Sequence, residues 1–142
     1  MALDLVIRGG TVATPGGIRT CDVGIRDGRI AALGDGLAGT RTLEATGRLV
    51  LPGGVDSHCH IEQLTASGLM NADTFATATA SAAVGGTTTV IPFAAQHVGM
   101  SLTRVVEDYH EAARRGAVVD YAFHMILCDP RPEVLAEELP PL

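Results

Sequence analysis

The chain has 142 residues, 46% of them hydrophobic, and a formal net charge of -6, with a pI near 5.2 and a mean hydropathy of +0.27. That is enough apolar material for a buried core and too much for a disordered chain, and beyond Arg114-Arg115 it has no cluster of basic residues to make a nucleic-acid footprint. No apolar run approaches the ~18 residues of a membrane span, Asp4 stands where a signal peptide carries positive charge, and Cys21, Cys59 and Cys128 are odd in number and far apart, so free thiols in a cytoplasmic protein are expected.

Residues 1–51 are Gly-rich, with short alternating runs such as "LDLVIRGG", "CDVGIRDGRIAALG" and "RTLEATGRLVLPGG", which read as hairpins. Asp27-Gly28, between Val23/Ile25 and Ile30/Leu33, has the chemistry of a type I′ turn. From residue 53 the texture alternates. "GVDSHCH" reads as a strand, and "ADTFATATASAAVGG" as a helix with Asp73 as N-cap and Gly85-Gly86 as its end. "TTTVIPF" is a second, buried strand. "SLTRVVEDYHEAARRG" predicts a helix capped by Ser101, stopped by Gly116 and buried along Leu102, Val105, Val106, Tyr109, Ala112 and Ala113. "VVDYAFHMIL" predicts a third strand, before the short segment "RPEVLAEEL".

A strand-helix-strand-helix-strand order implies parallel strands joined by crossover helices, with ligands gathering at the C-terminal strand ends. A doubly wound sheet is the competing architecture, but no G-x-G-x-x-G fingerprint follows the first strand of this alternation. A complete (β/α)8 barrel needs about 250 residues. The expected fold is therefore α/β: an incomplete (β/α)8 TIM-like barrel over residues 52–142, preceded by a β-rich segment over residues 1–51.

"VDSHCHIEQ" carries the chemistry. Side chains at i and i+2 of a strand share a face, so Asp56, His58 and His60 line one side while Ser57 and Cys59 face the other. Paired imidazoles at a strand end suit a divalent cation. Spacing alone is weak evidence for one, because a zinc site needs three protein ligands plus water or four ligands outright. Asp56 is a candidate to fix an imidazole tautomer, or a structural carboxylate at the strand end.

The segments "LVIRGGTV", "VGIRDGRIAALG", "LEATGRLVLPGGVDSHCHIE", "NADTFATATASAAVGGTTTVIPF" and "VVDYAFHMIL", in this order, resemble the N-terminal third of the hydantoinase/dihydropyrimidinase group of the amidohydrolase superfamily. "PGGVDSHCH" carries the superfamily likeness and "ADTFATAT" with "GGTTTVIPF" the cyclic-amide branch. The resemblance implies that residues 1–51 form part of a β-sandwich completed by a later segment. It implies that His58 and His60 are metal ligands, that two divalent ions, zinc by preference, sit in the complete site, and that a carboxylated lysine bridges them. This chain has no lysine: all ten of its basic residues are arginine. The bridge is therefore expected outside it; the resemblance places the remaining ligands and the catalytic acid/base outside it as well, and none of its own residues is assigned a catalytic role.

The activity so implied is hydrolytic ring opening of a cyclic amide, a hydantoin or dihydropyrimidine, by a metal-bound hydroxide in a cytoplasmic homotetramer that engages neither nucleic acid nor membrane. The resemblance also places the stretch 62–70 at the substrate pocket, with Leu64, Leu69 and Met70 as an apolar wall or as ordinary packing residues. His97 reads as a loop residue near the expected mouth, and His110 and His124 as structural or surface residues. Two other readings stand beside the hydrolase: a non-catalytic dihydropyrimidinase-related assembly protein, or another amidohydrolase such as an allantoinase or dihydroorotase.

Overall fold

The computed structural model describes residues 2–65 and 67–142. The chain divides into two compact units, Met1–Pro52 and Gly53–Leu142.

The first unit is one five-stranded sheet. Strand β1 (Leu3–Thr14) pairs antiparallel with β2 (Gly17–Arg26), which pairs antiparallel with β3 (Arg29–Gly34). The β2-β3 turn is the expected one: Asp27 and Gly28 have φ of 53° and 70°, as a type I′ turn requires. Not every run is a hairpin, however. Strands β4 (Gly39–Glu44) and β5 (Leu49–Val50) both lie parallel to β1, at its two ends. The β1-β2 register slips between Ile7 and Gly10. There the Gly9 N–H donates to Asp22 Oδ1 at 2.8 Å, while Oδ2 accepts from the Leu37 N–H at 3.0 Å. These bonds, the one from Gly9 foremost, hold the buried Asp22 carboxyl below its ordinary pKa.

The second unit is a parallel sheet with two helices, in the order β6 (Gly54–Cys59), α1 (Phe75–Val84), β7 (Thr87–Ala95), α2 (Leu102–Arg114), β8 (Asp120–Tyr121) and β9 (His124–Ile126). β7 is central, pairing with β6 and, along its length, with β8 and then β9. β6 approaches β7 closely at its start, where a side chain at Gly53 would come within 2.1 Å of the Thr88 hydroxyl. The single strand expected over residues 118–127 is broken at Ala122-Phe123. It faces Pro92, which has no N–H to offer either neighbouring strand.

The core of this unit gathers Ile61, Phe75, Val90 and Ala113, with Cys59, Tyr109, Tyr121 and Phe123 packed around them. Helix α1 is capped by Thr74, not Asp73. The Thr74 hydroxyl accepts from the Thr77 N–H, the Thr77 hydroxyl accepts from the Thr74 N–H, and Asp73 accepts from the Thr77 hydroxyl at 2.8 Å. Helix α2 starts at Ser101 as expected. Its N-terminus is closed by Glu138 of a short π-helical turn, Val134–Glu138, whose carboxylate accepts from the Ser101 hydroxyl (2.7 Å) and the Leu102 N–H (2.6 Å). Among the described residues no helix is long and apolar enough to cross a membrane.

Candidate metal centre

Asp56 and His58 lie on β6 and His60 directly follows it, so the two histidines mark its C-terminal end, the end at which parallel sheets collect ligands. Asp56 pairs with Val90 and Cys59 with Pro92, so three steps along β6 match two along β7. The extra residue is a bulge opposite a proline. It withdraws the His58 N–H from the ladder, and that N–H donates to Asp56 Oδ1 at 3.1 Å. Asp56 therefore stabilises the bulged backbone, and among the described residues no ring nitrogen bonds to its carboxylate.

The two imidazoles lie side by side, with ring centroids 5.6 Å apart, and both are exposed. Phe93 of β7 is their common support: His58 meets its ring edge-on at 4.7 Å and His60 stacks on it at 5.1 Å. His124 packs on the same phenyl ring at 5.1 Å, and its Nε2–H donates to the Ser57 carbonyl at 3.0 Å. The sequence sets His124 apart from the site, whereas the fold places it beside the bulge that carries His58. Cys59 turns to the core, where burial, and then the Asp56 charge, push its thiol pKa up.

Beyond His60 the chain forms a small excursion, anchored at its base. Glu62, at φ 46°, accepts the Phe75 N–H at the start of α1 (2.8 Å) and pairs with Arg115 at 3.0 Å. Asn71 Oδ1 accepts the Gln63 N–H at 2.7 Å, and its Nδ2 donates to the His60 carbonyl at 2.6 Å. The Gln63 side chain turns back, and its Oε1 hydrogen-bonds to His60 Nδ1. Leu64 and Met70 bridge across the excursion, and both they and Leu69 are exposed.

His97 is half-buried in the loop after β7, where its carbonyl accepts the Met100 N–H at 3.0 Å. His110 is half-buried on α2, where its ring packs on Phe123 at 4.9 Å and Tyr121 at 5.8 Å. Among the described residues no three His, Cys, Asp or Glu side chains converge on a metal-sized site. Two neutral imidazoles suit a borderline cation such as zinc, but fall short of the three ligands that a catalytic site needs.

No family model matches the chain. It is 44% identical over 137 residues to a D-hydantoinase of Rhizobium radiobacter, across 95% of this chain and 30% of that protein. It is 38% identical over 128 residues to a dihydropyrimidinase of Rattus norvegicus, across 85% of this chain and 24% of that protein. The solved structure of a D-hydantoinase superposes with a TM-score of 0.88 at 42% identity, covering 94% of this chain and 29% of the other.

The chain is a homologue of the hydantoinase/dihydropyrimidinase group. It spans under a third of the length of these relatives, and its α/β fold is that of the corresponding part of a D-hydantoinase. Sequence reasoning missed Gln63, Asn71 and Phe93 of this hydantoinase homologue. For Gln63 and Asn71 a signal was present, since polar residues three and eleven positions after His60 can reach back across a tight excursion. Phe93 offered only an aromatic residue at a strand end.

Proposed function

We propose that this chain contributes part of the metal centre of a metal-dependent cyclic amidohydrolase, which opens the ring of a hydantoin or dihydropyrimidine by hydrolysis. The observation that carries this reading is the pair His58 and His60, set side by side at the end of β6 in a chain homologous to D-hydantoinases. In this reading residues 53–142 are the opening strands and helices of a (β/α)8 barrel, and residues 1–52 are one sheet of a β-sandwich. His58 and His60 are two ligands of a centre holding two divalent ions, zinc by preference.

When bound, such ions polarise the scissile carbonyl and make water nucleophilic near neutral pH. The chain's own residues hold the imidazoles in place. Phe93 supports both rings, Asp56 and His124 fix the bulged strand beneath His58, and Asn71 and Gln63 fix His60. Leu64, Leu69 and Met70, exposed on the excursion after His60, form an apolar wall for the substituent on the substrate ring. The complete protein is a cytoplasmic homotetramer.

The test is made on the full-length protein. Metal analysis should find about two divalent ions per chain, and hydantoin and dihydrouracil, assayed beside allantoin, should be the substrates opened. Replacing His58 or His60 with Ala should lower both metal content and ring opening. Unchanged metal content and rate in both variants would sink the ligand assignment.

A further inference from the structure

We infer that Gln63 and Asn71 are positioning residues that lock His60 in the Nδ1–H tautomer and tie that lock to the excursion bearing Leu64, Leu69 and Met70. The inference deepens the metal-centre reading and rests on it for its metal-binding consequence. An imidazole can offer a cation only a nitrogen that carries no proton, so whichever group bonds one ring nitrogen decides whether the other can serve as ligand. In His60 the Gln63 Oε1 stands at Nδ1. A carbonyl oxygen only accepts, so Nδ1 must carry the proton, and Nε2 is left with its lone pair. Among the described residues Nε2 has no hydrogen-bond partner.

Gln63 is held in turn. Its backbone N–H is bonded to Asn71 Oδ1 at 2.7 Å, its carbonyl accepts the Asn71 N–H at 3.2 Å, and the other end of the Asn71 amide donates to the His60 carbonyl at 2.6 Å. One amide side chain thus spans both ends of the 63–71 excursion and the backbone of the ligand residue. Stacking on Phe93 at an interplanar angle of 17° fixes the ring plane in which Nδ1 and Nε2 point. The substrate-facing excursion and the His60 lone pair therefore belong to one hydrogen-bonded unit, and a change in the one shifts the other.

The experiment compares Gln63→Met, Gln63→Glu and Asn71→Ala with the unaltered full-length protein. Zinc affinity is measured by chelator competition, and 15N spectra are taken of the histidine-labelled apo protein, with the His60 signals assigned from His60→Gln. Gln63→Met removes the acceptor and should weaken zinc binding by ~10–100-fold. Gln63→Glu restores an acceptor oxygen and should bind zinc at least as well as the original. In the apo spectra the unaltered protein and Gln63→Glu should show His60 protonated at Nδ1, while Gln63→Met and Asn71→Ala show mixed tautomers.

An Nε2–H tautomer in the unaltered protein would overturn the inference, as would a Gln63→Met variant with original affinity and tautomer. If His60→Gln leaves zinc binding intact while the tautomer still follows Gln63, the metal-ligand reading fails and the lock stands. The two failures are therefore told apart.

Discussion

Glu138 is the plainest case of one side chain deciding how an element starts. Its carboxylate accepts from the Ser101 hydroxyl and the Leu102 N–H, and it sits at the positive end of the α2 dipole. These bonds, the Ser101 hydroxyl first, hold its pKa below the ordinary value of 4.5. A depressed carboxyl pKa adds stability above the unfolded-state value and loses it as pH falls through the folded-state value. Glu138→Gln should therefore lower the melting temperature at pH 7, and the gap from the original protein should close once the pH drops below the folded-state pKa. A gap of constant size from pH 7 to pH 3 would refute the charge-based account. At this scale the sequence is uneven to read. His58 and His60 announce themselves because a period of two is built into a strand. The bulge that re-aims them depends on Pro92, thirty-odd residues away in sequence, and no local pattern around "VDSHCH" contains it.

Helix α1 shows the same division one level up. "FATATASAAV" has no marked polar and apolar faces, yet the flanking Asp73, Thr74 and Gly85-Gly86 bracket it within a residue or so of where it lies. Which side it buries is decided by two residues, Phe75 and Thr79, each 0% exposed. Phe75→Ala should cost about 3–5 kcal/mol, because the core of Ile61, Val90 and Ala113 cannot collapse into the space left. Thr79 works through its hydroxyl, which donates to the Phe75 carbonyl at 2.5 Å and accepts the Val118 N–H at 3.0 Å. Thr79→Val conserves shape and leaves Val118 without an acceptor, at a cost of about 1–3 kcal/mol. Denaturant midpoints of the two variants separate packing from polar satisfaction, and a neutral Thr79→Val would remove the polar term. Gln96, 1% exposed, plays a comparable part that the sequence hides. Its amide accepts from the Cys128 and Asp129 N–H groups and donates to the Met100 carbonyl, joining the loops after β7 and β9. Cys128 and Asp129 lie 32 and 33 residues from Gln96, so only the fold brings them together. The same holds for β4 and β5. Their alternation marks them as strands, but their parallel pairing with β1 is set by connections that a hairpin pattern does not record.

Taken as a whole, the chain leaves much apolar surface uncovered. In the first unit a cavity of about 260 Å³ opens on the sheet among Ile7, Val12, Val23, Ile25 and Ile30. In the second, a groove of about 450 Å³ runs between Ala94, Val106, His110, Phe123 and Leu139. Among the described residues β6 pairs on one side only, and β3 is likewise an edge. Apolar faces with open strand edges drive association between chains. The 142-residue chain expressed by itself should therefore self-associate as its concentration rises, seen by light scattering or sedimentation. It should also bind zinc far more weakly than the full-length protein, since two imidazoles are one ligand short of a catalytic site. The two observations test different things. A monomer with a sharp unfolding transition would mean that these faces need no further covering. Zinc affinity in the isolated chain equal to that of the full-length protein would mean that His58 and His60 do not depend on distant ligands. In either case the contribution assigned to later parts of the protein would have to be sought within these residues.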